Sequence, residues 1–303
     1  MLGLFRDFGF LCRQVSLGAI VEFELRLSWL FIRRNVRATV MAGTAFAVAM
    51  VLRRSSDVFV MLHALFAALA YFWLYAYSFD LHNQLTGVTE DRINKPDRPL
   101  VRGLVTIRGA QIRVVLVTAL FLLLAQLLGT LAWAALSVAV HYINCHTHWH
   151  RHWLFKSAMV GVHVCIILPP AALIAGELSP LVWRWSLVVG GLTVAMIAVQ
   201  DFRDVKGDAA VGRRTFPMVV GQRWARAMVS LVFLMAPIPV HLWGIRADAN
   251  TMAWVAEGAA ALLAWIVAVR VLRPQGGAVY DYVTYRVWEY WFVLMCIAVW
   301  VAS

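Results

Sequence analysis

The stretch DLHNQLTGVTEDRINKPDRPLVRG, residues 80–103, places a high density of charge between two long apolar segments of the chain. It contains an amide, two adjacent acids and a run of Arg, Lys and Pro. In contrast, 62% of the 303 residues are hydrophobic, only 14% are charged, and the mean hydropathy is +0.74. A water-soluble domain of this length could not bury that much apolar surface. The chain is therefore predicted to be an integral membrane protein that lies in the lipid bilayer.

Nine apolar segments approach the length of about 20 residues that a membrane-spanning helix needs. They cover residues 37–52, 57–79, 110–129, 130–145, 154–176, 180–200, 225–244, 252–271 and 284–302. These segments predict an all-α, polytopic membrane protein with about nine transmembrane helices. No long linker or clear repeat interrupts them, so we expect one transmembrane domain over residues 1–303. Residues 1–36 are expected to form a basic cytoplasmic segment.

The distribution of Lys and Arg predicts the orientation of the chain in the membrane. If the N-terminus and the connections after the even-numbered segments share one side, that side carries 23 of the 27 basic residues. The positive-inside rule makes this side cytoplasmic. We therefore expect a cytoplasmic N-terminus and an external C-terminus. The net charge of +11 is attributed to this topology, and no nucleic-acid partner is expected.

A second concentration of acidic residues is QDFRDVKGDAAVGRRTFPMVVG, residues 200–221. Within it, Asp201, Asp204 and Asp208 are three and four residues apart, which places their carboxylates on one face of a helix. Close carboxylates repel one another unless a cation lies among them. Mg²⁺ suits this arrangement, because it takes oxygen ligands and shares its coordination sphere with substrate phosphates.

The first stretch offers a facing set of oxygen ligands on the same predicted side of the membrane. These are Asn83, Glu90 and Asp91. Asp80, nearly one helical turn before Asn83, is expected to act as a base or to orient Asn83. We predict that the amide and the five acids bind Mg²⁺ and that, together with Asp80, they form the catalytic group. The predicted metal ligands are Asn83, Glu90, Asp91, Asp201, Asp204 and Asp208.

Basic side chains flank both acidic clusters. They are Lys95, Arg98 and Arg102 beside the first, and Arg203, Lys206, Arg213 and Arg214 beside the second. Carboxylates for a metal and cations for phosphate oxygens together describe a diphosphate site. Asp and Asn also cap helices, and Lys and Arg also mark cytoplasmic loops, so either cluster alone has a structural explanation. Two clusters on one face of the membrane favour a binding site.

The two stretches resemble the signature motifs of the UbiA superfamily of intramembrane prenyltransferases. The run NKPDRP at residues 94–99, followed by Gly103, resembles the family pattern NKPxRPxxxG. Residues 201–221 agree with every fixed position of the second pattern, DxxDxxxDxxxGxxTxPxxxG. The layout of nine helices is similar as well, so the resemblance extends over nearly the whole chain.

The first motif departs from the family pattern NDxxDxxxD. Gln84 and Gly87 stand where the pattern has Asp, and Glu90 adds an acid that the pattern lacks. The resulting NQxxGxxED is similar to the motif of divergent members, including the UbiA-type terpene cyclases. Glu90 is expected to supply the missing carboxylate from a different direction.

The resemblance implies an enzyme that binds an isoprenyl diphosphate through Mg²⁺, with the tail in a central pocket among the helices. Transfer of the prenyl group to an aromatic or other small acceptor is the first expectation, and cyclisation of the tail to a terpene is the alternative. The resemblance also places Tyr142 and Arg151 near the diphosphate, with Lys95, Arg98, Arg102, Arg203 and Lys206. A transporter or lipid-binding protein is less favoured, because the charge lies at one membrane face.

Aromatic side chains could stabilise a carbocation, and the candidates lie before the first motif and on the last segment. They are Phe72, Trp73, Tyr75, Tyr77, Tyr282, Tyr285, Trp288 and Tyr290. Five histidines also lie within residues 141–156. Their spacing suits a transition-metal site, but contacts to the diphosphate or to the membrane interface are favoured, and the sequence leaves both open.

Overall fold

The computed structural model describes residues 16–245, 250–273 and 276–302, including every side chain in these ranges except that of His150. Regular structure in these ranges is helical, apart from one isolated bridge between His152 and Arg214. The predicted all-α class is therefore confirmed. Arg6 and Arg13 of the basic N-terminal segment lie outside the described residues.

Thirteen α-helices of five residues or more are numbered here in chain order within the described ranges. They are α1 Leu17–Ile32, α2 Ala42–Leu52, α3 Val58–Thr86, α4 Val88–Asn94, α5 Ile107–Leu127, α6 Leu131–His146, α7 Trp153–Ile174, α8 Pro180–Met196, α9 Asp201–Ala210, α10 Phe216–Val220, α11 Gln222–Met235, α12 Thr251–Val271 and α13 Gly277–Ala298. A π-helical turn, Arg37–Met41, leads into α2, and α11 continues through Pro237–Pro239 and a second π-helical turn, Val240–Ile245.

Each of the nine predicted apolar segments coincides with a helix, but fewer helices meet a strict test for spanning a membrane. By length and composition, six spans in the described ranges pass, or seven if the bent pair at the N-terminus counts as one span. Helix α6 has only 16 residues, and α13 carries Asp281, Arg286 and Glu289. The predicted number of about nine is therefore too high by this measure, because it included a short helix and a charged one.

Helix α1 was not expected from the sequence, which predicted only a basic segment before residue 37. It begins after Ser16, whose side chain accepts a hydrogen bond from the amide of Ala19 at 3.3 Å. It meets the following helical segment, Arg37–Leu52, at an angle of 90°. Charged residues interrupt its apolar pattern, and a pair between Glu22 and Arg26 supports its exposed face.

Two ion pairs connect the corner between α1 and α2 to the loop that follows α4. Arg33 donates to Asp97 Oδ2 at 2.5 Å, and Arg34 donates to the other carboxylate oxygen of Asp97. Burial alone would raise the pKa of Asp97, but the hydrogen bond and charge of Arg34, together with the charge of Arg33, hold it below its ordinary value of 3.8. This acidic residue of the first motif therefore fixes the loop and stays ionised at neutral pH.

Asp97→Asn should lower the free energy of unfolding by about 1 kcal/mol or less at pH 7, because the pair is partly exposed and screened. A lowered folded pKa stabilises the fold at every pH above the unfolded pKa and loses that effect as pH falls through the folded pKa. The difference between wild type and variant should therefore be constant from pH 5 to pH 8 and shrink below pH 4. Thermal unfolding in detergent across this range measures it. Glu22→Gln, at an exposed pair, is the matched control, and a difference that grows on acidification would contradict the assignment.

Candidate functional site

The two polar motifs lie on facing helix ends. Helix α3 continues to Thr86, so the first half of the first motif is helical, and Gly87 leads into the short helix α4. The second motif forms α9. Asn94, at the end of α4, donates to the backbone oxygen of Asp204 at 3.0 Å and accepts from the amide of Gly207 at 3.2 Å. The side chain of the first motif therefore binds directly to the backbone of the second.

Gly207 permits this contact because it has no side chain. A Cβ atom at Gly207 would lie 2.2 Å from Nδ2 of Asn94, well inside van der Waals distance. The lack of a side chain at this position thus sets the separation of α4 and α9.

A turn after α9 brings a cation back to both motifs. Gly212, with φ of 68°, adopts the left-handed conformation that ends a helix, and the amide of Arg213 donates to the backbone oxygen of Asp208 at 2.9 Å. The Arg213 guanidinium then lies 2.7 Å from Asp208 Oδ1 and 2.8 Å from Glu90 Oε2. Arg213 therefore bridges the acids of the first and second motifs.

Each of the other acids is also paired with a cation. Arg98 lies 2.5 Å from Asp91, and Lys95 lies 3.7 Å from both Glu90 and Asp91. The remaining pairs join Lys156 to Asp201 at 2.7 Å, Lys156 to Asp208 at 3.5 Å, and Arg203 to Asp204 at 3.3 Å. We call these five acids and five bases the ion-pair network. Its members are Glu90, Asp91, Asp201, Asp204, Asp208, Lys95, Arg98, Lys156, Arg203 and Arg213.

Two bases of the network that lie outside the membrane-spanning helices show its electrostatic effect. Burial alone would lower the pKa of Arg98, but Asp91 and Asp80 raise it above the ordinary value. Burial likewise opposes the charge of Arg213, whereas Glu90 and Asp208 raise its pKa. Both guanidinium groups therefore stay charged at every physiological pH, and the network is neutral by formal charge.

A cavity of about 230 Å³ opens from this network into the helices. On α3, Tyr75, Phe79, Asn83 and Thr86 line it at intervals of one turn. On α13, an aromatic row continues the apolar part of the wall: Tyr285 stacks on Trp288, and Trp288 stacks on Phe292, with ring centroids 5.4 and 5.9 Å apart. The cavity is therefore polar and charged at one end and aromatic at the other.

Only part of the aromatic set predicted from the sequence lines this cavity. Tyr75, Tyr282, Tyr285 and Trp288 do so. Phe72 is buried against Gly43 instead, and a Cβ atom at Gly43 would lie 2.5 Å from the Phe72 ring. In the described ranges, Trp73, Tyr77 and Tyr290 are likewise absent from the lining.

Most of the predicted site residues meet at the polar end. Asn83, Glu90, Lys95, Arg98, Arg203 and Asp204 line the cavity. Asp91, Asp201 and Asp208 lie directly behind, buried and paired with lining or neighbouring cations. Asp80 is fully buried and accepts a hydrogen bond from Asn35 at 2.7 Å, and Asn35 lines the cavity. Asp80 therefore contacts Asn35, and its role as a base or in orienting Asn83 stays a prediction.

Four predicted diphosphate contacts lie elsewhere among the described residues. Arg102 and Lys206 are exposed and do not line the cavity. Tyr142 is 58% exposed and stacks on His146 with ring centroids 4.8 Å apart. Arg151 is exposed and lines a separate recess beside Glu90 and Arg213.

The sequence predicted no role for Lys156 or Asn35. It predicted Arg213 only as one of the basic side chains that flank the second motif. Lys156 lies near the start of an otherwise apolar helix, and a lone charge at that position was its only signal. Asn35 lies at the corner before α2, within residues 1–36, for which the sequence predicted only a basic cytoplasmic segment. Both side chains reach their acidic partners from 45 residues away in the sequence.

The two departures in the first motif have different structural consequences. Gln84 is fully buried and donates to the backbone oxygen of Phe31 at 3.2 Å, so it packs against α1 and not in the cavity. Gly87 lines the cavity, and a Cβ there would lie 2.9 Å from the backbone oxygen of Asn83 and 3.7 Å from Asp91 Oδ2. Gly87 therefore permits a tight turn and places no carboxylate on the cavity wall, whereas the side chain of Gln84 lies outside the cavity.

The oxygen donors at the polar end are of the class that Mg²⁺ prefers. In the described ranges, no three His, Cys, Asp or Glu side chains come close enough to hold a metal by themselves, because Lys and Arg separate the acids. Asp208 Oδ2 has no hydrogen-bond partner in the described structure, although it forms an ion pair with Lys156 at 3.5 Å. The residues present fit a cation that arrives together with an anionic substrate.

The model of the UbiA prenyltransferase family matches residues 39–283. The chain belongs to the UbiA prenyltransferase family. Somaliensene A/B synthase of Streptomyces somaliensis is 35% identical, with 89% of this chain and 91% of that protein covered. Diterpene cyclase eriG of Hericium erinaceus is 34% identical over 93% of this chain and 90% of its own length. Polyprenyl transferase eriF of the same organism is 31% identical over 90% and 93%.

Solved structures of UbiA homologues share the fold. The homologue from Archaeoglobus fulgidus bound to GPP and Mg²⁺ superimposes with a TM-score of 0.64 at 15% identity, and covers 90% of this chain and 99% of that one. Together with the apolar helices, this likeness identifies this member of the UbiA family as an integral, multi-pass membrane protein.

Gly207→Ala should lower the free energy of unfolding by about 1–3 kcal/mol, because the added methyl group overlaps the side chain of Asn94. Asn94→Ala removes the obstacle, so the double variant should be more stable than the sum of the two single effects predicts. Thermal unfolding of the four proteins in detergent measures this coupling. Strict additivity would show that the contact between Asn94 and Gly207 does not set the helix spacing.

Proposed function

We propose that this protein binds an allylic isoprenyl diphosphate with the diphosphate at the ion-pair network and the tail in the aromatic cavity, and that it breaks the carbon–oxygen bond between them. The observation that carries this proposal is the continuity of the two environments in one cavity. The charged end suits an anionic leaving group, and the aromatic end suits a carbocation that water must not reach.

The neutrality of the ion-pair network explains why the substrate needs a divalent cation. Its five acids and five bases already compensate one another, so a multiply anionic diphosphate would add uncompensated negative charge to a buried site. Mg²⁺ supplies the missing positive charge and stabilises the leaving group. The groups that would hold it are Asn83, Glu90, Asp91, Asp201, Asp204 and Asp208. The A. fulgidus homologue bound to GPP and Mg²⁺ supports the use of this cation with an isoprenyl diphosphate.

The bases of the network bind and orient the diphosphate oxygens in this proposal. Lys95, Arg98, Arg203 and Arg213 line the cavity and donate from several directions. Lys156 also lines it and approaches from α7, next to Asp201. Because these donors are held by the acids before substrate arrives, little reorganisation is needed as charge develops on the leaving group.

Aromatic faces stabilise the carbocation that remains. The stacked row of Tyr285, Trp288 and Phe292 presents π-systems along the cavity wall, each contributing about 0.5–2 kcal/mol to a nearby cation. Arg203 lies over the Tyr285 ring at 4.2 Å, which marks where the charged end meets this row.

We place cyclisation first as the fate of the carbocation, although the sequence alone favoured transfer to an acceptor. Two relatives that align over most of both chains are named as a terpene synthase and a diterpene cyclase. The lack of a carboxylate at Gly87 is consistent with a diphosphate seated differently from that of members with Asp at this position. Prenyl transfer is the second candidate, and it is supported by the polyprenyl transferase eriF at 31% identity.

We further propose that the charged end faces the cytoplasm, with the N-terminus inside and the C-terminus outside. The concentration of 23 of the 27 basic residues on one predicted side supports this orientation. A single transmembrane domain over residues 1–303 is part of the same proposal.

Product analysis distinguishes the two fates. Purified protein should convert farnesyl or geranylgeranyl diphosphate to a cyclic hydrocarbon or alcohol in the presence of Mg²⁺ and without an acceptor. Gas chromatography with mass spectrometry identifies the product, and a parallel assay measures released diphosphate. Turnover that begins only when an aromatic or other small acceptor is added would reject cyclisation and establish transfer.

Removal of a single network acid should abolish most of the turnover. We expect Asp91→Asn, Asp201→Asn, Asp208→Asn and Glu90→Gln each to lower the rate of diphosphate release by about 10²-fold or more, since each removes a charge from a preorganised site. Excess chelator should stop the wild-type enzyme. Asp57→Asn, at the N-cap of α3 outside the cavity, is the control and should retain activity. Full activity in chelator would refute the metal assignment, and an active Glu90→Gln would remove Glu90 from the ligand set.

A further inference from the structure

A histidine that the mechanism above does not use lines the apolar part of the cavity. His163 lies on α7 seven residues after Lys156, so the helical rise separates the two positions by about 10 Å. The surrounding wall is aromatic: the Phe79 ring meets the His163 ring edge-on at 5.2 Å between centroids. His163 is therefore a titratable group in the tail region, remote from the ion-pair network.

A main-chain contact fixes the tautomer of His163. Its Nδ1 lies 2.7 Å from the backbone oxygen of Met159. A carbonyl oxygen can only accept a hydrogen bond, so Nδ1 carries the proton and the neutral ring keeps its lone pair on Nε2. In the described structure, Nε2 is buried and has no hydrogen-bond partner. The side chain is thus held as a base with its accepting nitrogen unoccupied.

The neighbours of His163 are suited to a ring that becomes charged. His141 is fully buried and stacks on it at 5.6 Å with an interplanar angle of 9°. His141 in turn meets Tyr75 edge-on at 4.8 Å. Stacking holds the orientation of the His163 ring, and the aromatic faces tolerate a cation better than an aliphatic wall does. His141 is a positioning residue in this arrangement.

We propose that His163 is the base that ends the reaction by deprotonating the final carbocation. This inference rests on the proposed function, and it applies to cyclisation. The lone pair of Nε2 takes a proton from a carbon next to the cationic centre, and the electron pair of that carbon–hydrogen bond becomes the π bond of the product alkene. His163 becomes an imidazolium, with its Nδ1 proton still donated to Met159. The acquired proton passes to water after the product leaves.

The position of His163 explains why such a base would not interfere with the first step. The helical rise places the backbone of His163 about 10 Å from that of Lys156, in the apolar part of the cavity and not at the diphosphate. Only a carbon brought there by folding of the tail reaches the base. The choice of proton, and hence the position of the double bond, is therefore set by the distance between the ion-pair network and His163.

His163→Gln and His163→Phe test the proposal with two readouts on the full-length protein, geranylgeranyl or farnesyl diphosphate, and Mg²⁺. Diphosphate release should stay within about threefold of wild type, because ionisation does not use His163. The wild-type alkene should fall at least tenfold, since a positioned base contributes about 10²–10⁴-fold to proton transfer. Isomeric alkenes or alcohols from capture of the cation by water should replace it. The glutamine variant keeps a polar side chain and tests the proposal by itself if the phenylalanine variant does not fold.

His82→Gln is the matched control, because His82 is also a buried imidazole but pairs with His146 at 2.9 Å and does not line the cavity. It should leave the product mixture unchanged. If both His163 variants ionise the substrate and give the wild-type mixture, His163 is not the base. If diphosphate release falls in step with product, His163 acts on ionisation or structure and the proposal fails. Absence of a cyclic product from wild type would instead overturn the proposed cyclisation. The wild-type product is therefore analysed before any variant.

Discussion

Buried carboxylates of the two motifs are compensated by cations that come from other parts of the chain. Arg213 is the clearest case, because one guanidinium group pairs with Glu90 of the first motif and Asp208 of the second. Removal of one partner from such a buried pair leaves an isolated charge and costs about 3–5 kcal/mol. The two helix ends and the turn at Gly212 are therefore coupled through Arg213.

Much of this arrangement could be predicted from the sequence where the interacting residues are close together in it. The spacing of Asp201, Asp204 and Asp208 defines one face of α9, because helical periodicity is a local property. Lipid imposes a similar local rule on the apolar segments, and each coincides with a helix. Helix α1 was not predicted by this rule, because its apolar run is interrupted by charged residues such as Glu22, Glu24 and Arg26.

Interactions over long sequence distances could not be predicted in this way. Lys156 and Asn35 reach acids that are 45 residues away, and no periodicity connects them. The same limit applies to Gln84, whose position in the motif suggested a lost ligand but whose side chain packs against Phe31. Glu90 lies between these cases: it is three residues after Gly87, so one helical turn places its carboxylate on the same side as Gly87.

The contact between His163 and Met159 has a consequence for how the site could evolve. In an α-helix, the carbonyl of Met159 already accepts the backbone amide four residues later, which belongs to His163 itself. Both donors of one residue therefore converge on a single oxygen, and the orientation of the base is encoded by one turn of helix. Substitutions elsewhere in the cavity wall can reshape the space for the tail without disturbing that orientation. Variants of this chain can thus differ in product through cavity shape alone, while the orientation of the proton acceptor stays unchanged.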